Sequence, residues 1–334
     1  MIGAALNQNL FENKNPQKTQ IVKRHFSAIT PENCMKPAPL QPREGEFRFE
    51  VADKYVDFGL QNGMFIVGHT LIWHNQLPEW FWKGEDGKNA SPDLLKKRMK
   101  THIQTVVGRY KGKVRGWDVV NEAIEDDGSF RKSKFYEILG EEYIELAFKY
   151  ANGADPDAEL YYNDYNMAKK PKREAVCHLV KKLKSKGVKI DAVGMQAHIS
   201  MNYPDIKDFE ESISAFAAAG VKVMITELDM TALPSAWGVN ADLAKTHEYK
   251  KKYDPYTDGL PPDVSQKWNK RMAEFFEMFK RNSDKISRVC FWGVFDDDSW
   301  LNYFPVRSRT DYPLPFDRNL QPKAFVVEIL NADK

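Results

Sequence analysis

Residues 116–122 read Gly-Trp-Asp-Val-Val-Asn-Glu, and residues 223–229 read Val-Met-Ile-Thr-Glu-Leu-Asp. Each is a short apolar run that reaches a carboxylate, Glu122 in the first and Glu227 in the second. Taking a carboxylate out of water costs on the order of several kcal/mol unless it is paired or hydrogen-bonded. One such residue taken alone reads as a structural ion pair at a strand end. Two of them, in the company of Trp117, Asp118, Asn121 and Asp229, read as chemistry.

Working outward from these two runs, the chain contains eight β-rich segments. They are Ile2 to Asn7, His25 to Pro31, Phe65 to Trp73, Val114 to Glu122, Glu159 to Asn166, Ala192 to His198, Lys222 to Asp229 and Arg288 to Asp296. Most lack the apolar/polar alternation of a half-exposed strand, which predicts strands covered on both faces and hence a parallel sheet. Helical patterns lie between them. Ser91-Pro92-Asp93 supplies an N-cap, a first-turn proline and an early acid ahead of Leu95, Met99, Val106 and Tyr110, with Gly112 beyond the end. A second helix, about Arg173 to Lys186, sets Val176, Leu179, Val180 and Leu183 on one side and stops before Gly187.

Eight strands alternating with helices over 334 residues predict an α/β fold, a (β/α)8 TIM barrel forming one domain over residues 1–334. No Gly/Ser- or Pro-rich linker divides the chain, and no repeat of fixed period stands out. Barrel active sites sit at the C-terminal ends of the strands. Those ends carry Asn7, Glu32, Asn33, His69, Trp73, Asn121, Glu122, Asp164, Asn166, Gln196, His198, Glu227, Asp229 and Trp292. Carboxylates, amides, imidazoles and indoles around one mouth suit a sugar, which offers hydroxyls to hydrogen-bond and flat ring faces to stack on. Hydrolysis of a glycosidic bond is the chemistry this set suggests.

Seven motifs carry a family resemblance in order along the chain. They are Ile-Thr-Pro-Glu-Asn-Cys-Met-Lys at 29–36, Gly-His-Thr-Leu-Ile-Trp-His-Asn-Gln-Leu-Pro at 68–78, Trp-Asp-Val-Val-Asn-Glu at 117–122, Asn-Asp-Tyr-Asn at 163–166, Gly-Met-Gln-Ala-His at 194–198, Ile-Thr-Glu-Leu-Asp at 225–229 and Phe-Trp-Gly-Val at 291–294. The sequence resembles the glycoside hydrolase family 10 endo-1,4-β-xylanases nearly end to end. The resemblance implies Glu122 as acid/base and Glu227 as nucleophile of a retaining reaction, with the two carboxyl groups about 5–5.5 Å apart. It implies that His198 and Asp229 orient the nucleophile and that Asn121 donates to the sugar 2-hydroxyl, although an asparagine there could also cap a following helix. It assigns Glu32, Asn33, Lys36, His69, Trp73, Gln76, Trp292 and Trp300 to the glycone side and Tyr165 and Asn166 to the aglycone side. Gln196, two strand residues from His198, faces the same mouth.

Blander readings exist for several of these: a satisfied core histidine for His198, core indoles for Trp73 and Trp292, and a surface ion pair for Lys36. Pro37 departs from the family, which commonly has tryptophan there; proline holds Lys36 extended and removes an aromatic surface. Two long loops, Asp229 to about Gln266 with Trp237, Tyr253 and Tyr256, and the one after Phe295 with Trp300, Tyr303, Phe304, Arg307, Arg309 and Tyr312, suit an extended groove and internal cuts, or else pack over the rim.

A net charge of +2 from 49 basic and 47 acidic residues gives no field that would call for nucleic acid or a membrane surface. The expected partners are xylan and xylo-oligosaccharides, the expected state a monomer. Cys34, Cys177 and Cys290, read as two on strands and one on a helix, are expected as free thiols. No Cys-x-x-Cys or His-Glu-x-x-His signature occurs, and no metal or other cofactor is expected. The xylan resemblance implies a secreted or periplasmic precursor, with a cytoplasmic form as the alternative and no signal peptide read before Ile2. Three rivals are a metal hydrolase using His69, His74, His198, Asp164 and Asp229, an inactive sugar-binding barrel, and the same mechanism acting on β-1,4-glucan.

Overall fold

The computed structural model describes residues 1–236 and 251–332. Its strands are β1 (Ile2–Leu6), β2 (Ala28–Pro31), β3 (Phe65–Trp73), β4 (Gly116–Asn121), β5 (Glu159–Asp164), β6 (Ala192–Met195), β7 (His198–Ser200), β8 (Lys222–Thr231) and β9 (Ile286–Phe291). Every neighbouring pair is parallel, from β1·β2 through β5·β6, then β6·β8, β8·β9 and β1·β9, so eight strands close on themselves and no edge is left open. The short β7 continues the line of β6 and pairs with the end of β8, His198 opposite Asp229.

Burial explains the missing alternation. All six positions of β4 are buried, because one face lines the barrel interior and the other meets the helical layer. Inside, Val67, Tyr161, Ala192 and Met224 pack together. Gly116 makes room for this, since a Cβ there would lie 2.0 Å from the Tyr161 hydroxyl oxygen. Outside, the helix Pro92–Arg109 buries Leu95, Met99, Ile103, Val106 and Val107, and its Ser91 cap accepts from the Leu94 N–H at 3.3 Å. The second expected helix is observed as Lys170–Ser185, burying Val176, Leu179, Val180 and Leu183.

Four expectations are corrected. The segment from His25 is not strand at its start: a helix capped by Asn15 runs Pro16–His25, burying Thr19 and Val22, and β2 begins only at Ala28. The run from Ala192 to His198 is broken, because Ala197 takes φ 63° and turns the chain after Gln196 before it resumes as β7. The strand expected to reach Asp296 ends at Phe291. Cys34 lies in the turn after β2 rather than on a strand, Cys177 is helical and Cys290 is on β9, and all three are free. Of the long loops, Trp237 lies outside the described residues. Arg309 donates to the carbonyls of Pro234 and Tyr253, and the Tyr312 hydroxyl to that of Tyr256 at 2.6 Å, so these members fasten loop to loop over the rim.

Candidate active site

Glu122 follows the last residue of β4 and takes φ 57°, a left-handed conformation that costs a non-glycine residue about 1–3 kcal/mol. Two bonds hold it there: its N–H donates to the Asn163 carbonyl at 2.9 Å, and its carbonyl accepts from Arg131 Nε at 2.8 Å. The turn aims the carboxylate at three donors. Trp73 Nε1 reaches Oε2 at 2.9 Å, while Asn121 Nδ2 and Gln196 Nε2 reach Oε1 at 3.2 and 3.1 Å. Gln76, Asn166 and Ala197, all just beyond strands of this rim, share the positive φ.

Glu227, on β8, is 5% exposed. Asn163 Nδ2 donates to its Oε1 at 2.7 Å, and His198 Nε2 lies 3.2 Å from its Oε2. Burial alone would raise its pKa, but the His198 hydrogen bond, the nearby His69 and His198 charges and the Asn163 bond outweigh it, and the carboxyl sits below its ordinary value. His198 is held from both sides, with Nδ1 2.9 Å from Asp229 Oδ2. Burial pushes its pKa down, the Asp229 carboxylate and then Glu227 push it up, and the result is about 10. The imidazolium therefore donates from both nitrogens. Asp229 thus orients the nucleophile through His198, and it also accepts from Trp300 Nε1 at 2.8 Å.

Asn163 joins the two halves of the site, and the candidate residues drawn from the sequence leave it out. It is fully buried on β5, donates to Asn121 Oδ1 at 3.0 Å as well as to Glu227, and accepts from the Thr226 hydroxyl at 2.7 Å. Gly194 leaves it the space, for a Cβ there would lie 2.3 Å from Asn163 Oδ1. Asn163 opens the quoted motif at 163–166 and stands two residues before Tyr165. Asn121 is not a helix cap, because the next helix starts only at Lys134. Its Oδ1 also accepts from Gln196 Nε2 at 3.3 Å.

Contacts link Glu32, Asn33, Lys36, His69, Trp73, Trp292 and Trp300, the residues expected on the glycone side, to this centre and to one another. Lys36 is 6% exposed, donates to Asn33 Oδ1 at 3.0 Å and stands 5.1 Å from the Trp73 ring centroid, which removes the surface ion-pair reading. Its backbone is extended, φ −71° and ψ 155°, as Pro37 requires, and Pro37 is buried. Burial raises Glu32 to about 7, helped by the Asp298 charge and opposed by Lys36. His69 Nδ1 meets Asp118 Oδ2 at 2.8 Å, and its ring meets Trp292 edge-on at 5.2 Å. The Trp300 ring lies 5.0 Å from His198. Gln76 is exposed.

Of the residues expected on the aglycone side, the Tyr165 hydroxyl accepts from Arg131, and Asn166 Nδ2 donates to the Asp126 carboxylate at 3.0 and 3.2 Å. Arg131, absent from the expected set, thus touches both Glu122 and Tyr165. Two strand-end groups do not join the mouth. Asp164 is fully buried against Lys172, 2.8 Å away, and raised by that burial to about 6. Asn7 caps the helix Gln8–Phe11. The five donors of the metal reading are dispersed in the same way: His69 serves Asp118, His198 serves Asp229 and Glu227, Asp164 serves Lys172, and His74 Nε2 stands 4.0 Å from Glu122.

The Glycosyl hydrolase family 10 profile matches residues 1–332. The endo-1,4-beta-xylanase A of Xylanibacter ruminicola is 44% identical over 331 residues, 99% of this chain and 90% of its own length. The endo-1,4-beta-xylanase A of Thermotoga maritima is 44% identical over 96% of this chain, which spans 29% of that longer protein. A family 10 endoxylanase retrieved from a sugarcane soil metagenome superposes with a TM-score of 0.93 at 43% identity, covering 100% of this chain and 96% of that one. With motifs, barrel and whole-length match in agreement, the chain belongs to glycosyl hydrolase family 10, the glycoside hydrolases that share this barrel.

Proposed function

We propose that this chain is an endo-1,4-β-xylanase that cuts internal β-1,4-xylosidic bonds with retention of configuration, Glu227 as nucleophile and Glu122 as acid/base. The observation that carries the reading is the opposite setting of two carboxylates within one hydrogen-bond chain, Glu122 to Gln196 to Asn121 to Asn163 to Glu227. Glu227 is held as an anion by a doubly donating imidazolium and an amide, ready to attack an anomeric carbon. The Glu122 carboxyl has an indole and two amides as its hydrogen-bond donors among the described residues, with His74 Nε2 4.0 Å away, and lies at the rim where a leaving oxygen departs.

In the first step Glu122 passes its proton to the leaving oxygen while Glu227 forms a glycosyl ester. In the second a water enters, Glu122 takes its proton, and the ester is cleaved. Asn121 and Asn163 keep the sugar 2-hydroxyl and the nucleophile in register. Lys36, Glu32, Asn33 and His69 offer hydrogen bonds to glycone hydroxyls while Trp73, Trp292 and Trp300 offer ring surface; Gln76 lies at their outer edge. Tyr165 and Asn166, fastened by Arg131 and Asp126, serve the aglycone.

Hydrolysis of xylohexaose followed by proton NMR, with xylan, arabinoxylan and cellulose compared in parallel, tests the reading. The β-anomer should appear first, from internal cuts, with little action on cellulose. First appearance of the α-anomer would remove the retaining mechanism, and preferential cutting of cellulose would move the substrate to β-1,4-glucan.

A further inference from the structure

Beneath the nucleophile, inside the barrel, lies a cavity of about 10 Å³ lined by Thr30, Val67, Asp118, Met224, Thr226, Glu227, Arg288, Cys290 and Trp292. That volume is the space of one water molecule and of nothing larger. Most of the surface facing it is apolar, but the lining also brings together the Asp118, Glu227 and Arg288 charges and the Thr30 and Thr226 hydroxyls. Asp118 is 2% exposed; its Oδ2 is taken by His69, and its Oδ1 has no protein hydrogen-bond partner among the described residues. Arg288 is 2% exposed, with Met224 Sδ, the Tyr161 hydroxyl and, at 3.7 Å, Glu159 as polar neighbours and the Phe65 and Tyr161 rings at 4.3 and 5.0 Å.

A buried carboxylate oxygen without a partner is costly, and native proteins meet that cost with a protein donor or an internal water. Among the described residues no protein donor reaches Asp118 Oδ1. A cation in the cavity would face Arg288 and an anion would face Asp118 and Glu227, so a neutral donor of single-water size is what the walls accept.

We propose that this cavity binds one water molecule, which donates to Asp118 Oδ1 and bridges it toward Thr30, Thr226 and Arg288. The consequence, which rests on the functional reading above, lies one step up. With Oδ1 satisfied by the water, Asp118 stays an acceptor for His69 Nδ1–H, and the other ring nitrogen of His69 is left to face the glycone. Asp118 and the water are then positioning groups for sugar binding, acting from inside the barrel without touching substrate. Thr226 belongs to the same device, since its hydroxyl proton goes to Asn163 and its lone pairs remain for the water.

A crystal structure of the unliganded wild-type protein at about 1.2 Å resolution or better tests the site. An ordered water within hydrogen-bond distance of Asp118 Oδ1 is expected; a dry cavity, or a water out of reach of that oxygen, would overturn it. The consequence is read in Thr30→Val, which keeps the shape of the wall and removes one hydroxyl. Its kcat/KM on xylohexaose should fall about three- to tenfold, the size of one buried hydrogen bond, chiefly through KM, with the His69 ring-nitrogen NMR shifts moved. Unchanged His69 shifts and unchanged KM would refute the link to the glycone. Retention by the wild-type enzyme is measured independently, so loss of this proposal leaves the assignment of Glu122 and Glu227 standing.

Discussion

Replacing His198 with asparagine removes the imidazolium that serves both Glu227 and Asp229. The rise of His198 from its ordinary 6.5 to about 10 corresponds to on the order of 3–5 kcal/mol of interaction favouring the charged ring, at about 1.4 kcal/mol per pH unit. The sign follows from linkage. The folded-state value is raised, so this stabilisation is present in full below about pH 6.5, where the unfolded chain is protonated too, and is lost as pH climbs through 10. The stability gap between the wild type and His198→Asn should therefore be widest near pH 6 and narrow by about 3 kcal/mol toward pH 10. Urea unfolding of both proteins at pH 6, 8 and 10 reads it directly, and taking the difference cancels groups the two proteins share. A gap that stays flat, or widens, across that range would refute the picture of a doubly donating imidazolium.

Trp73→Phe keeps a ring against Lys36 but removes the N–H that reaches Glu122 at 2.9 Å; kcat/KM on xylan should fall about tenfold, with thermal stability nearly unchanged. Gly194→Ala drives a Cβ toward Asn163 and should lower kcat about a hundredfold by pulling the amide from Glu227, while Ala at the exposed Gly87 leaves kcat alone. Lys172→Met strands Asp164 as a buried charge and should cost about 3–5 kcal/mol in urea unfolding.

The barrel was legible because eight strand runs lack alternation and because caps such as Ser91-Pro92 mark helix starts. What stayed hidden was tertiary. Lys18, Thr19 and Val22 form a buried helical stripe that ends in basic residues, yet Phe26 to Pro31 is apolar enough to draw His25 into a strand. The break at Ala197 depends on a positive φ that no alanine announces. In the site, the residue types at strand ends pointed to Glu122, Glu227 and His198. Strand position alone could not separate Asn163, which faces the mouth, from Asp164 next to it, which turns into the wall to meet Lys172. Adjacent strand residues face opposite ways, and a one-residue error in register exchanges a catalytic neighbour for a structural ion pair.

The central claim is that Glu227 bonds covalently to the sugar while Glu122 only moves protons. Azide rescue of Glu227→Ala on dinitrophenyl xylobioside measures this most directly. Azide should restore turnover and yield the α-azide, by a single inverting attack through the space the nucleophile leaves. A β-azide from Glu227→Ala, or the α-azide from Glu122→Ala instead, would contradict the assignment.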